Sequence, residues 1–152
     1  QERLYWHIRK IVIDHEDTDD VLQNTFLKIW KSLSDFRSDS RLFTWLYRIA
    51  TNEALSFLKQ KRGKMFFLLN DTENRLAEQL ESDPYFDGDE IQIKLQQSIL
   101  RLPEKQRVVF NMKYFGGLKY EEMAEILGTS VGALKSSYHH AVKKIETMLS
   151  KD

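Results

Sequence analysis

Apolar residues recur at intervals of three and four positions along most of the 152-residue chain, whereas sustained two-residue alternation is nearly absent. Spacing of this kind places apolar side chains on one face of an α-helix, whereas strands require alternation. The pattern therefore predicts an all-α protein, built as two small helical domains joined by a polar segment. The predicted helices cover residues 1–13, 17–34, 41–61, 91–102, 103–115, 120–127 and 131–149.

The periodicity also predicts helix ends and core positions. Asp17 or Thr18 can cap the second helix, because short polar side chains accept hydrogen bonds from the free N–H groups of a first turn. Pro103 suits the first position of the fifth helix, and Gly116-Gly117 suits its end. The side chains expected to face the cores are Leu22, Phe26, Ile29 and Leu33 of the second helix, Leu42, Phe43, Leu46, Tyr47, Ile49, Ala50, Ala54 and Phe57 of the third, Ile91, Leu95, Ile99 and Leu102 of the fourth, and Leu134, Tyr138, Ala141, Ile145 and Leu149 of the last.

The formal net charge of zero hides an uneven distribution along the chain. Residues 63–92 carry eight acidic and two basic side chains, whereas the segments on either side each carry an excess of basic residues. This acidic segment also contains Pro84, Gly88 and a long polar run, which is typical of a linker. The expected domains are 1–62 and 91–152, joined by an acidic linker at 63–90.

The composition argues against several function classes. The chain has no cysteine, which excludes a disulfide framework, a thiol nucleophile and a thiolate metal site. No apolar run approaches the roughly 18 residues of a membrane span, and no signal-peptide pattern opens the chain, so we expect a cytoplasmic protein. The first residue is not Met and helical periodicity begins in the first turn, so we expect the natural protein to extend further upstream.

Catalytic and metal-binding patterns are equally scarce. No phosphate-binding glycine loop is present, and the carboxylates are scattered over polar helix faces. His139 and His140 are adjacent and point about 100 degrees apart on a helix, so they do not form a ligand pair. We therefore expect no metal, no other cofactor, no small-molecule substrate and no enzymatic activity.

The sequence YEEMAEILGTSVGALKSSYHHAVKKIETML, residues 120–149, matches a helix-turn-helix. Gly128 permits a left-handed turn between the helices, and Ser130 can cap the second helix. The outward face of that helix suits the DNA major groove. A helical hairpin with a solvated polar face has the same pattern, so the motif alone leaves both interpretations open. The outward residues are Lys135, Ser136, His139, His140 and Lys143.

A second candidate surface lies on helix 41–61. Most of its aromatic rings fall on the core side of a helical wheel, but Trp45 falls on the polar side, near Arg41 and Arg48. An exposed ring between guanidinium groups suits stacking on unpaired bases while the arginines meet phosphates. A tryptophan that only covers the domain edge is the alternative. The polar side comprises Arg41, Thr44, Trp45, Arg48, Thr51 and Asn52.

Taken together, these segments resemble the bacterial sigma factors of the sigma-70 superfamily, specifically the small extracytoplasmic-function group. DTDDVLQNTFLKIW at 17–30 is similar to sigma region 2.2, and FRSDSRLFTWLYRIATNEALSFLKQKR at 36–62 is similar to regions 2.3 and 2.4. LPEKQRVVFNMKYFGGLKYEEMAEILGTSVGALKSSYHHAVKKI at 102–145 is similar to region 4. The resemblance covers nearly the whole chain and implies a dissociable promoter-specificity subunit of RNA polymerase.

The resemblance also implies partners and site residues. The region 2.2 helix would bind the clamp helices of the largest polymerase subunit, and region 4 would bind the flap of the second largest. Promoter DNA and an anti-sigma factor are the other expected partners. The residues so implied are Asp20, Gln23, Asn24, Leu27 and Trp30 for polymerase binding; Phe36, Arg37, Ser38, Asp39, Ser40, Arg41, Thr44, Trp45, Tyr47, Arg48 and Asn52 for binding and melting the minus-ten element; and Lys135, Ser136, His139, His140 and Lys143 for the minus-thirty-five element.

The last helix departs from the family pattern. Ser137, His140 and Val142 stand near positions where related recognition helices commonly carry Arg, so we expect weaker phosphate anchoring here. The usual arginine-to-guanine contact is then available only to Lys135 among the basic residues. One alternative is a helix-turn-helix regulator that binds duplex DNA without polymerase, and the rings and arginines at 41–52 argue against it.

Overall fold

The computed structural model describes residues 1–36, 41–64 and 88–151. Within these ranges the chain forms α-helices and one short 3-10 helix, and no strand is present. The helices are α1 (Glu2–Val12), α2 (His15–Ser32), α3 (Leu42–Lys64), α4 (Glu90–Leu100), α5 (Glu104–Tyr114), α6 (Tyr120–Leu127) and α7 (Val131–Ser150), and the 3-10 helix is Leu33–Asp35. The predicted all-α class is confirmed.

Helix α2 begins earlier than the sequence predicted. Its N-cap is Asp14, whose carboxylate accepts a hydrogen bond from the Asp17 N–H at 3.0 Å. The expected cap at Asp17 or Thr18 is wrong, because the helix already begins at His15 and the Asp14 side chain caps it. Glu16 and Asp17 then lie inside that turn, where the helix dipole favours their negative charge.

The buried stripe of α2 is rotated relative to the prediction. The buried residues are Thr18, Val21, Leu22 and Thr25. Phe26 and Leu33, which we expected in the core, are exposed. Thr18 and Thr25 each donate their hydroxyl to the carbonyl four residues earlier, at 2.6 and 2.7 Å. Because this bond satisfies the only polar group of each side chain, a residue type counted as polar packs in the core.

Helices α1, α2 and α3 pack against one another as a three-helix unit. Ala50 and Ala54 of α3 are fully buried, and their small side chains let the neighbouring helices approach closely. At the rim, Lys61 Nζ lies 2.5 Å from Asp17 Oδ2 and joins α3 to α2. Leu42 is 52% exposed rather than in the core, because it is the first residue of α3.

Helices α4 to α7 form the second half of the described chain. Helices α4, α5 and α6 each pack against α7. Gly128 ends α6 with φ 65°, the left-handed conformation that the predicted turn requires. Pro103 is the N-cap of α5 rather than its first helical residue. Ile91 and Leu149 are exposed, against the prediction, because they lie in the terminal turns of α4 and α7.

The two halves share one hydrophobic core. Buried residues of α1, α2 and α3 form a continuous cluster with buried residues of α5, α6 and α7. A second cluster joins α4, α5 and α7 within the second half. Contacts of α1 with α5 and of α3 with α6 therefore pack the halves directly against each other.

Candidate nucleic-acid and polymerase interface

The second helix of the helix-turn-helix, α7, has the cap and the two faces that the sequence indicated. The Ser130 hydroxyl accepts a hydrogen bond from the Ala133 N–H at 3.2 Å. The buried residues of α7 are Leu134, Ala141 and Ile145. The expected outward residues Lys135, Ser136, His139, His140 and Lys143 are all exposed. They lie together on the solvent side of α7, where a DNA groove can reach them.

The positive charge of this outward face is modest. Lys143 Nζ lies 3.8 Å from Glu146 Oε2, so its charge is partly compensated. Lys135 Nζ lies 5.7 Å from the centre of the Tyr120 ring, and no ion pair of its ammonium with a carboxylate is found among the described residues. Lys135 also lies in the second turn of α7, close to the N-terminal end of the helix. This is the end of a recognition helix that contacts base edges in the major groove.

Two aromatic side chains meet near the start of α3. The ring centres of Phe36 and Trp45 are 4.9 Å apart, with the ring planes at 49°. Arg41 and Asn52 are exposed, and their spacing of four and seven residues from Trp45 places them on its side of α3. The structure therefore gathers four of the predicted minus-ten residues. Arg37, Ser38, Asp39 and Ser40 lie outside the described residues.

Tyr47 lies on a different side of α3 from these residues. Its ring centre is 4.5 Å from that of His7 and 4.3 Å from that of Phe43. Positions 45 and 47 differ by about 200 degrees around a helix, so Tyr47 faces α1 while Trp45 faces away from it. The structure therefore separates Tyr47 from the Phe36–Trp45 pair.

The polar side of α3 is only partly exposed, which corrects the prediction. Thr44 is only 3% exposed and Thr51 is 0% exposed. Arg48 lies between them, and its Nε and Nη2 donate hydrogen bonds to the carbonyl of Glu125, in α6, at 2.9 and 2.6 Å. Because Thr44 is buried, it cannot contact DNA in this arrangement.

His7 supports α3 from the α1 side. Its Nε2 lies 2.7 Å from the Thr51 hydroxyl, which gives that buried group a partner. Burial, with a smaller effect of the neighbouring Lys10 charge, lowers the pKa of His7 to about 4. The imidazole is therefore neutral at pH 7 and offers one donor and one acceptor. The sequence analysis missed this contact, because a lone histidine in the first helix carries no local signal of a partner 44 residues away.

The exposed face of α2 is more apolar than the sequence indicated. Leu27 is 54% exposed and Trp30 is 78% exposed. Asp20, Gln23 and Asn24 are exposed as predicted. Phe26 and Leu33, assigned to the core by their periodicity, add two further exposed apolar side chains. Apolar side chains set among polar groups in this way are typical of a surface that binds another protein.

Neither a membrane-crossing helix nor a cluster of metal-ligating side chains is found in the described part of the chain. In residues 1–36, 41–64 and 88–151, no helix is long and apolar enough to cross a membrane. The same ranges contain no group of three or more His, Asp or Glu side chains that could hold a metal ion.

Two family models match the chain in the order of its two halves. The model of sigma-70 region 2 matches residues 1–64, and the model of sigma-70 region 4 matches residues 92–145. The RNA polymerase sigma-H factor of Pseudomonas aeruginosa is 31% identical, over 98% of this chain and 81% of that protein. The ECF RNA polymerase sigma-E factor of Escherichia coli K12 is also 31% identical, over 86% of this chain and 72% of that protein.

Solved structures share the same fold. The sigma factor RpoE of Bartonella quintana, in complex with the anti-sigma factor NepR, aligns with a TM-score of 0.72 at 22% identity and covers 99% of this chain and 92% of that one. CnrH, in complex with the cytosolic domain of CnrY, aligns with a TM-score of 0.67 at 25% identity and covers 98% of this chain and 81% of that one. The helix-turn-helix, the Phe36–Trp45 ring pair, the two region models and the curated relatives agree, and the chain belongs to the sigma-70 family as an extracytoplasmic-function RNA polymerase sigma factor.

Proposed function

We propose that the two domains divide promoter recognition between them. As a sigma factor, the chain binds core RNA polymerase and gives it promoter specificity. In our proposal, domain 1–62 recognises and melts the minus-ten element, and domain 91–152 recognises the minus-thirty-five element through the helix-turn-helix at 120–149. The acidic segment 63–90 links them. The carrying observation is that one chain combines an exposed polar face on α7 with the Phe36–Trp45 ring pair at the start of α3, beside the exposed Arg41 and Asn52.

The minus-ten site, in this proposal, centres on Phe36, Trp45 and Asn52. Extruding a base from the duplex costs a few kcal/mol of stacking and pairing. Stacking on an aromatic side chain returns about 1–3 kcal/mol per base, and the Asn52 amide can donate to and accept from a base edge. The expected loop Arg37, Ser38, Asp39 and Ser40 would complete the pocket, and Arg41 and Arg48 would contact phosphates. Tyr47 lies in α3 on the side that packs against His7 of α1, so in this proposal it supports the fold rather than contacting the base.

The minus-thirty-five site, in this proposal, is the outward face of α7. Lys135, with Ser136, His139 and His140, faces the base edges of the major groove, and Lys143 contacts a phosphate further along the helix. A lysine that donates to guanine O6 and N7 discriminates between bases, whereas a phosphate contact positions the protein without sequence information. The recognition helix therefore has one principal base-specific cation.

We further propose the surface that holds core polymerase. The exposed face of α2, with Asp20, Gln23, Asn24, Leu27 and Trp30, would bind the clamp helices of the largest subunit, and the second domain would bind the flap of the second largest. Leu27 and Trp30 supply the apolar anchors that typically carry most of the binding energy at such interfaces. An anti-sigma factor that covers the same face is the expected inhibitor, since the similar sigma factor RpoE is in complex with the anti-sigma factor NepR.

The proposal places the protein in the cytoplasm, where RNA polymerase works, and assigns it a binding role without catalysis. The deciding experiment is run-off transcription with purified core polymerase on a genomic promoter library. We expect new transcripts whose start sites share two elements at a fixed spacing. A gel-shift with and without core polymerase tests the alternative of a helix-turn-helix regulator that acts alone. Such a regulator would bind duplex DNA equally well in both cases, whereas a sigma factor should bind it only with core polymerase.

A further inference from the structure

A cavity of about 300 Å³ lies between α1, the start of α3 and the end of α5. Small-molecule sites typically measure about 300–1,000 Å³, so this cavity suits a ligand of one or two rings. Among the described residues, those that line it belong neither to the exposed face of α2 nor to the outward face of α7. The cavity is therefore separate from the proposed polymerase-binding and minus-thirty-five surfaces.

Helix α1 lines the cavity with side chains spaced by three and four positions. Arg3, Trp6, His7 and Lys10 share one side of the helix, because this spacing follows the helical turn. Trp6 keeps 41% of its surface exposed, so its ring can contact both solvent and a molecule in the cavity. One side of α1 therefore presents an indole ring, an imidazole and two cations to the same space.

The other walls of the cavity are also rich in aromatic rings. Phe43 and Tyr47 of α3 stand side by side, with ring centres 4.3 Å apart and ring planes at 31°. Phe115, directly after α5, lines the cavity as well. Aromatic rings attract one another in offset-stacked and edge-to-face arrangements, with centres about 4.5–7 Å apart. With Trp6 on the α1 side, the cavity favours a flat aromatic ligand over an aliphatic one.

Each of the two cations lies over one of these rings. The guanidinium carbon of Arg3 is 4.9 Å from the centre of the Phe43 ring, and Lys10 Nζ is 4.5 Å from that of Phe115. Neither cation forms an ion pair with a carboxylate within the described part of the chain. Burial lowers the pKa of Lys10, because an ammonium group taken out of water without an anionic partner is less stable in its charged form.

The charges around the cavity favour an anionic ligand. Glu2 is the acidic side chain that lines it, and the imidazole of His7 is neutral at pH 7. Arg3 and Lys10 together outweigh the single carboxylate, so one positive charge is left without compensation. Hydrogen bonds between charged donors and an anionic acceptor are about twice as strong as neutral ones. A ligand with one anionic group therefore supplies the partner that Lys10 lacks.

We propose that this cavity is a binding site for a small planar aromatic anion, with a carboxylate or a phosphate attached to one or two rings. The aromatic part lies among the rings of Trp6, Phe43 and Phe115, and the anionic group meets Arg3 and Lys10. Such binding requires neither DNA nor core polymerase, so it does not depend on the proposed roles of α3 and α7 in promoter recognition.

Fluorine NMR of the fluorotryptophan-labelled chain tests the site directly, because the chain has three tryptophans and Trp6 is the one that lines the cavity. The probes are naphthoate, an aromatic carboxylate, and adenosine monophosphate, an aromatic phosphate. We expect at least one of them to shift the Trp6 resonance saturably, with a dissociation constant below about 1 mM. The tighter of the two probes shows which anionic group the site prefers.

The other two tryptophans are internal controls. Trp30 is 78% exposed on α2 and Trp45 pairs with Phe36, so their resonances report binding to apolar surfaces elsewhere. Both resonances should stay in place while that of Trp6 moves. The proposal is overturned if neither probe shifts Trp6 saturably below about 10 mM. It is equally overturned if all three resonances move together at the same concentration, because the probes would then bind without selecting the cavity.

The role of the cations is tested with a neutral counterpart of the tighter probe, naphthamide or adenosine. In the natural chain the anion should bind at least tenfold more tightly than its neutral counterpart. Lys10→Met, which removes the ammonium but keeps an apolar side chain, should reduce this preference several-fold, and so should Arg3→Gln at an exposed position. Lys59→Met, at an exposed lysine of α3 that does not line the cavity, is the matched control and should leave it unchanged.

Comparing the two ligands separates a lost charge from a damaged cavity, since a damaged cavity would weaken the anion and its neutral counterpart alike. The anion preference is overturned if the neutral counterpart binds the natural chain as tightly as the anion does. It is also overturned if Lys10→Met and Arg3→Gln both keep the full preference of the natural chain.

Discussion

Replacing Leu27 by Glu tests whether the exposed face of α2 binds core polymerase. Fully burying a leucine side chain contributes about 1.5–3 kcal/mol. Because 54% of Leu27 is exposed, about half of that, roughly 1 kcal/mol, remains to be gained on binding. A carboxylate buried at the same place without a partner adds a desolvation cost of about 1–3 kcal/mol or more. The sum, about 2 kcal/mol or more, predicts at least about a 30-fold loss of affinity, since 1.4 kcal/mol is tenfold.

The assay is competition between each unlabelled variant and a fluorescent natural chain for a limiting amount of core polymerase. Leu42→Glu is the matched control, because Leu42 is 52% exposed but belongs to α3. Both variants should keep the helical circular dichroism and the melting temperature of the natural chain, since an exposed substitution removes little packing. Equal affinities of Leu27→Glu and Leu42→Glu for core polymerase would refute the assignment of this face.

Three further predictions concern DNA recognition and pH. Lys135→Ala should relax base preference in the minus-thirty-five element, at a cost of about 1–3 kcal/mol of binding free energy for the preferred base. Lys143→Ala should weaken binding to all sequences alike and reduce the salt dependence of binding. Binding titrations on a base-substituted promoter series distinguish the two variants, and a uniform loss of affinity in both would contradict base recognition by Lys135. Phe36→Ala and Asn52→Ala should leave closed-complex binding nearly intact but reduce the number of permanganate-reactive thymines. A pre-melted bubble template should restore transcription by both variants. If it does not, both residues act in folding or docking rather than in melting. The pKa of His7 is lowered to about 4 in the folded chain, so protonation favours the unfolded chain and stability should fall as the pH drops from about 6.5 to about 4. His7→Gln should reduce this loss of stability in melting curves recorded across the pH range. The same dependence of melting temperature on pH in His7→Gln and in the natural chain would show that His7 does not contribute.

The helix-turn-helix was predictable because its determinants are local. A left-handed turn conformation favours glycine at 128, and the N-cap of α7 favours a residue such as Ser130, whose hydroxyl reaches an N–H three residues ahead. Neither requirement depends on the rest of the chain. The inward and outward faces of α7 follow from helical periodicity alone, so the candidate base-contacting residues were placed correctly on the solvent side.

Buried polar residues account for the errors in α2 and α3. Thr18 and Thr25 pack in the core because each donates its hydroxyl to a carbonyl of its own helix. Thr51 is buried because His7, in another helix, supplies its partner. The hydrophobicity of a residue type does not reveal whether its polar group will be satisfied, so periodicity placed Phe26 inside α2 and Thr51 outside α3.

The sequence by itself determined the helical class and the recognition helix of this protein, since caps, turns and periodicity act over a few residues. The family was indicated separately, by the resemblance of whole segments to known sigma factors. Only the tertiary structure decided how much of each helix remains accessible. Arg48 and Glu125 are 77 positions apart, and Arg107 and Ile11 are 96 apart. Such contacts form only when separately folded segments pack together, and their strength depends on the desolvation and geometry of that packing, which no local pattern encodes. The covering of α3 by α6 therefore became visible only in the folded chain.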